Sequence, residues 1–159
     1  MSDDDLVEAA RGAIVVGIDD SEGARAALAF ALEEGARRQL PVLAVSVFSS
    51  QSPWEPKVST VLDEDRLEGA VRGAAQRLVD EVIAELRAQG VEPGRVRVAI
   101  RTGVPADVLV WVSRYAALLV VGYPTRGTHV RRLIGSVGLG VVAHAECPVT
   151  VVPPRTRTS

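Results

Sequence analysis

Residues 120–137 read VVGYPTRGTHVRRLIGSV. The stretch opens inside an apolar run, Leu118 to Val121, with the length and character of a strand covered on both faces. The run breaks at Gly122, and a polar loop follows that carries Thr125, Arg126, Gly127, Thr128, Arg131 and Arg132. Gly135-Ser136 then begins a second apolar pattern that reads as a helix. A strand, a glycine-containing polar loop and a helix start form the arrangement in which α/β proteins hold phosphate. The loop offers backbone N–H groups, the helix its positive dipole end, and glycine lets the main chain come close. Three arginines between strand and helix suit an anionic ligand. Neither common phosphate fingerprint is present. No G-x-x-x-x-G-K-S/T occurs, and the turn from Gly17 to Gly23, GIDDSEG, is not G-x-G-x-x-G.

Outward from this stretch the chain alternates strand and helix patterns. Ala13 to Ile18 is a continuous apolar run of strand length. Asp19-Asp20-Ser21 closes it, Ser21 placed as an N-cap with Glu22 in the first turn. Ala24, Ala27, Leu28, Ala31, Leu32 and Gly35 follow as a helical stripe reaching about Arg38. Pro41 to Phe48 is a second strand. Residues 49–60, SSQSPWEPKVST, have no period and two prolines, and Trp54 is read as packing that segment down rather than covering a ligand. Asp63 to Gln89 is a long helix with Leu67, Val71, Ala74, Leu78, Val82 and Leu86 on its inner side, ended by Gly90. Arg95 to Arg101 alternates, which predicts a strand at or near an edge. Pro105 begins a helix carrying Val108, Leu109, Val112 and Tyr115. Ala117 to Val121 is the fourth strand, Ser136 to about Glu146 the last helix, and Val149 to Val152 a short fifth strand.

Alternating strands and helices call for an α/β fold with a five-stranded parallel sheet and four helices on its two faces. Right-handed crossovers and a strand order of 3-2-1-4-5 put the first and fourth strands side by side. The crevice beyond their carboxyl ends is then lined by Asp19 to Ser21 and by Gly122 to Ser136. The expected organisation is a mobile acidic N-terminus over residues 1–11, a single domain over 12–153 and a disordered tail over 154–159.

Composition excludes several classes. The chain has 159 residues, enough for one domain with its own core. A net charge of −2 gives no reason to expect nucleic acid. The single cysteine, Cys147, excludes an internal disulfide and a multi-cysteine metal site. No apolar run reaches about 18 residues, so no membrane span is expected. The acidic start, MSDDDLVEAAR, is unlike a signal peptide, and the expected location is cytoplasmic. His129 and His144 have no ligand partners at metal spacing. Ser136 has no G-x-S-x-G surroundings and no evident base, so no catalytic residue is assigned.

The spacing of Gly122, Thr125 and Gly135-Ser136 resembles the nucleotide loop of the universal stress protein (UspA-like) family, G-x2-G-x9-G-S/T, with Thr125 in place of the second glycine. The likeness spans about Ala13 to Val152. It includes VVGIDDSEGARAAL, Gly103-Val-Pro-Ala106, the LLVVG strand end, the GSV helix start and the close from His144 to Val149. It implies a Rossmann-like three-layer sandwich of the adenine nucleotide alpha hydrolase-like kind, usually a homodimer along the fifth strand, here Val149–Val152. In one branch of the family it implies ATP, with Mg²⁺, bound with little or no turnover; the other branch binds none. By position, Asp19 would face the adenosine and Val47 the base, while Val121 and Gly122 would line the ribose and phosphate side. Gly135, Ser136 and Val137 would offer donors to the phosphates. Gly127 matches a glycine of the family's loop, and Arg126 stands beside it. Thr125 is the departure: a β-branched residue is poor at φ > 0, and Pro124 before it removes a donor. Three readings stay open: a nucleotide-binding regulatory dimer in stress response, an interaction module with an empty crevice, and a slow ATP hydrolase.

Overall fold

Strand side chains alternate between faces, and that alternation divides the core into two layers. The computed structural model describes residues 1–49, 61–123 and 135–154, with the backbone alone at 61–63. The expectations for Trp54, for Thr125, Arg126 and Gly127, and for residues 155–159 lie outside the described residues. The elements run α1 (Asp3–Ala10), β1 (Ile14–Ile18), α2 (Glu22–Arg38), β2 (Val42–Phe48), α3 (Val61–Ala88), β3 (Val96–Thr102), α4 (Pro105–Ser113), β4 (Leu118–Gly122), α5 (Ser136–His144) and β5 (Val149–Val152). The five strands are parallel in the order β3-β2-β1-β4-β5, with β1 central and paired on both sides. The sheet is the one the sequence predicts, edge position of the third strand included.

Ile14, Val16 and Ile18 of β1 point to one face, where α2 and α3 cover them. Val15 points to the other, where it joins Leu6, Leu109, Val112 and Val141 of α1, α4 and α5. Small residues bring α2 close to the sheet: Ala24, Ala27 and Ala31 are buried with Leu28 and Leu32, and Gly35 meets Val42. A Cβ built on Gly35 would stand 2.7 Å from Val42 Cγ2.

The structure corrects the expectation of a mobile stretch over residues 1–11, and the described residues hold five helices where four were expected. The start of the chain is α1. Ser2 and Asp5 form a reciprocal capping box, and Asp3, Asp4 and Asp5 face the positive end of the helix. Leu6 and Ala10, one turn apart, are both fully buried. Arg101 on β3 pairs with Asp3 and donates to the Met1 carbonyl at 3.1 Å. The acidic run is therefore a capped first turn.

The inner stripe of α3 also differs. Ala75, Val79, Val82 and Leu86 are buried, whereas Leu67 is 42% exposed and Ala74 is exposed. The cause is length: 28 residues of helix span about 42 Å, against about 23 Å for a seven-residue strand. The first turns of α3 overhang the carboxyl edge of the sheet.

Two outcomes are expected for α1. Leu6→Ala should cost about 2–4 kcal/mol in urea unfolding, as for other fully buried leucines; a loss below about 0.5 kcal/mol, the range of surface changes, would mean that α1 is not part of the core. Hydrogen bonds from the Ser2 hydroxyl and N–H hold the Asp5 carboxyl below its ordinary 3.8. That contribution is present above about pH 3.8 and fades as pH falls through the lower folded value. An Asp5→Asn variant should lose this component of the acid dependence.

Candidate functional site

The carboxyl ends of β1 and β4 adjoin, and the chain leaves them in opposite directions, β1 into α2 and β4 toward α5. Between them is a cavity of about 280 Å³. The β1 side supplies Gly17, Ile18, Asp19 and Ser21, and β2 supplies Val45 and Val47. Val121 and Gly122 come from β4, Tyr123 directly follows it, and Gly135 through Gly138 come from the start of α5. Ala24 of α2 and Pro105 and Leu109 of α4 complete the described lining. Asp19, Val47, Val121, Gly122, Gly135, Ser136 and Val137, singled out from sequence, thus line one cavity. Thr125, Arg126 and Gly127 fall outside the described residues.

The two helix starts at this crevice differ. Ser21 caps α2, its Oγ accepting from Ala24 N–H at 3.2 Å, while Asp19 Oδ1 accepts from Ser21 N–H at 2.9 Å. Glu22 in the first turn adds negative charge there. At α5 the N-cap is Gly135, which has no side chain to cap with, and the first turn holds no acid. Among the described residues nothing accepts from the N–H groups of Ser136, Val137 and Gly138; the first helical bond is Leu139 N–H to Gly135 O at 2.8 Å. Among the described residues, therefore, the donors and dipole at the α5 start meet no acceptor, whereas those at the α2 start do.

The close approach at Gly122 has a cause that the sequence pattern did not show. A Cβ on Gly122 would stand 2.2 Å from Gly23 O, and a Cβ on Gly23 would stand 2.1 Å from Tyr123 O. The start of α2 and the end of β4 touch main chain to main chain, so neither position has room for a side chain. Gly23 was missed as a site-forming residue, although a glycine in the first turn of a helix costs about 1 kcal/mol relative to alanine and so signals a packing reason. Pro105 and Leu109 were read only as a helix start and a core stripe. Nothing in the pattern of that helix distinguishes a cavity wall from core.

Other reactive groups stand apart from the cavity. No cluster of three or more His, Cys, Asp or Glu able to hold a metal exists among the described residues. Burial pushes the Cys147 thiol above its ordinary 9.0, so it is protonated at neutral pH. No helix among the described residues is long and apolar enough to cross a membrane.

The sequence profile of the Universal stress protein family matches residues 11–153. The chain belongs to the universal stress protein family. The universal stress protein Rv2623 of Mycobacterium tuberculosis is 33% identical over 147 residues, covering 87% of this chain and 46% of that protein. The chain thus spans about half the length of the curated relatives it matches. Among solved structures, the universal stress protein from Archaeoglobus fulgidus in complex with dAMP is 26% identical, with a TM-score of 0.54, covering 90% of this chain and 98% of that one. A universal stress protein in complex with cAMP shares the fold, with a TM-score of 0.63 at 21% identity, covering 92% and 99%.

Gly23→Ala is expected to lower stability by about 3 kcal/mol, at the upper end of overpacking costs, because both clashing atoms belong to main chain. Urea unfolding reads this directly. A loss under about 1 kcal/mol, the usual cost of an unremarkable substitution, would show that the α2–β4 contact is looser than described.

Proposed function

We propose that this universal stress domain binds an adenine nucleotide in the crevice between β1 and β4. The phosphates lie against the start of α5, and the base lies toward Val45 and Val47. The observation that carries this reading is the uncapped helix start at Gly135–Gly138 facing the same cavity as Asp19. An anion satisfies donors there that no described residue uses. The complex of the Archaeoglobus relative with dAMP supports the ligand class.

Asp19, with one carboxylate oxygen engaged by Ser21, has its other oxygen for a ribose hydroxyl. Gly135, Ser136 and Val137 supply N–H and hydroxyl donors to phosphate, and Val121 and Gly122 form the wall beside the ribose. Thr125, Arg126 and Gly127 close the phosphate side in this reading. ATP with Mg²⁺ is the fullest ligand the site would take, and turnover is slow or absent in this reading because Asp19, the one carboxylate among the described lining residues, is engaged at the ribose and not at the phosphates.

The biological role would be that of a cytoplasmic stress-response regulator acting as a homodimer through Val149–Val152. All four β5 residues are only half-buried, and the neighbouring helix leaves Leu139 62% and Val142 50% exposed. The same exposed residues favour a second reading, a protein-interaction module whose crevice stays empty.

Titration with AMP and with ATP plus Mg²⁺ separates the readings. Ligand at about 100 times its Kd should stabilise the fold by about 2.7 kcal/mol, seen as a rise in Tm without ADP or AMP appearing over hours. Gly135→Val, which puts a branched side chain at the mouth of the α5 start, should leave the circular dichroism spectrum unchanged and abolish the shift. No shift in the unmodified protein favours the interaction module; rapid product formation makes the protein a hydrolase. Sedimentation should give a dimer that Val151→Glu dissociates.

A further inference from the structure

The apolar end of the crevice owes its depth to the residue in β1 that has no side chain. Gly17 turns its missing Cβ toward α4. A Cβ built there would stand 2.8 Å from Leu109 Cδ1, 3.5 Å from Leu109 Cδ2 and 3.7 Å from Val121 Cγ1. Carbon atoms in favourable contact are about 3.5–4.0 Å apart. The Leu109 Cδ1 methyl is therefore seated closer to the sheet than a residue with a Cβ at position 17 allows, while Cδ2 stands at ordinary contact distance. Leu109 is only 3% exposed, buried with Val45, Val112 and Val121, and it lines the cavity. With its other sides packed, a displaced Leu109 side chain has the cavity to move into.

The described side chains at this end are apolar, namely Val45, Val47, Leu109 and Val121. No described side chain there can read a base by hydrogen bonding, so what these side chains contribute to discrimination is shape. In such an apolar pocket one methylene changes selectivity roughly 10- to 200-fold.

We propose that Leu109, seated on Gly17, is the specificity-determining residue of the crevice. The pair sets how deep a ring system can enter, and so limits the ligand to an unsubstituted purine-sized ring. This inference rests on the nucleotide reading above and adds the feature that selects among nucleotides.

The test uses AMP and AMP derivatives carrying a benzyl or phenyl group at N6, C2 or C8, measured by calorimetry and melting shift on the full chain. The unmodified protein should bind AMP and bind every enlarged derivative at least tenfold more weakly. Leu109→Ala should weaken AMP several-fold while improving at least one derivative tenfold or more relative to AMP. The position that gains identifies the ring edge facing α4. Leu109→Val serves in its place if the alanine variant does not fold. Gly17→Ala should weaken AMP tenfold or more, and Gly17→Ala/Leu109→Val, which removes the displaced methyls, should recover most of that loss. A merely structural role for the pair also allows that recovery but predicts no change in the order of the derivatives. AMP binding by the unmodified protein with the same order of derivatives in all variants overturns this inference alone. Failure of the unmodified protein to bind AMP overturns the nucleotide reading and this inference with it.

Discussion

The main-chain contact between Gly23 and the Gly122–Tyr123 segment is the constraint on which the crevice depends. It brings the first turn of α2 onto the end of β4 with no side chain between them. Because β1 and β4 are hydrogen-bonded neighbours, that contact fixes where α2 leaves the sheet and sets its first turn, through Ser21 and Ala24, as one wall of the cavity. The room so created lies on the α5 side. A larger residue at either glycine would separate the two segments and change the cavity that both help to shape. Overpacking of this kind is relieved by movement of backbone, not by a rotamer change.

Electrostatics then divides labour between two helices that start at the same crevice. Ser21, Asp19 and Glu22 satisfy and oppose the positive end of α2. Gly135, the N-cap of α5, has no side chain to do the same. The difference arises from single side chains at the N-cap, each worth about 1 kcal/mol in a helix but decisive for where negative charge is welcome. The remaining described walls are mostly aliphatic, which suits a ligand with an apolar ring at one end and anionic groups at the other.

Much of this was legible in the residues. Continuous apolar runs at Ile14–Ile18 and Leu118–Gly122 gave central strands, and the alternation before Thr102 gave an edge strand, because burial on one or both faces writes itself directly into hydropathy. The meeting of Asp19 with Gly135 followed from strand order alone. What stayed hidden depended on contacts between distant segments. Asp3, Asp4 and Asp5 read as a mobile lead-in because nothing local reveals that Arg101 awaits Asp3 or that Leu6 and Ala10 just beyond are buried. Leu67 looked like core because a periodic stripe does not say where the sheet beneath it ends. Gly17, Gly23 and Leu109 looked ordinary because a close approach is a property of pairs.

The parallel register carries a consequence for biosynthesis. Ile14 faces Val42 on one side and Leu118 on the other, a partner about a hundred residues further along the chain. While the ribosome is still making the first two-thirds of the protein, β1 has one exposed edge, and the half-formed sheet offers its backbone groups to any passing strand. Arrival of β4 closes that edge and creates the crevice in the same event. A nascent or truncated chain ending before β4 would lack the crevice altogether, so whatever the crevice holds can stabilise only the finished domain.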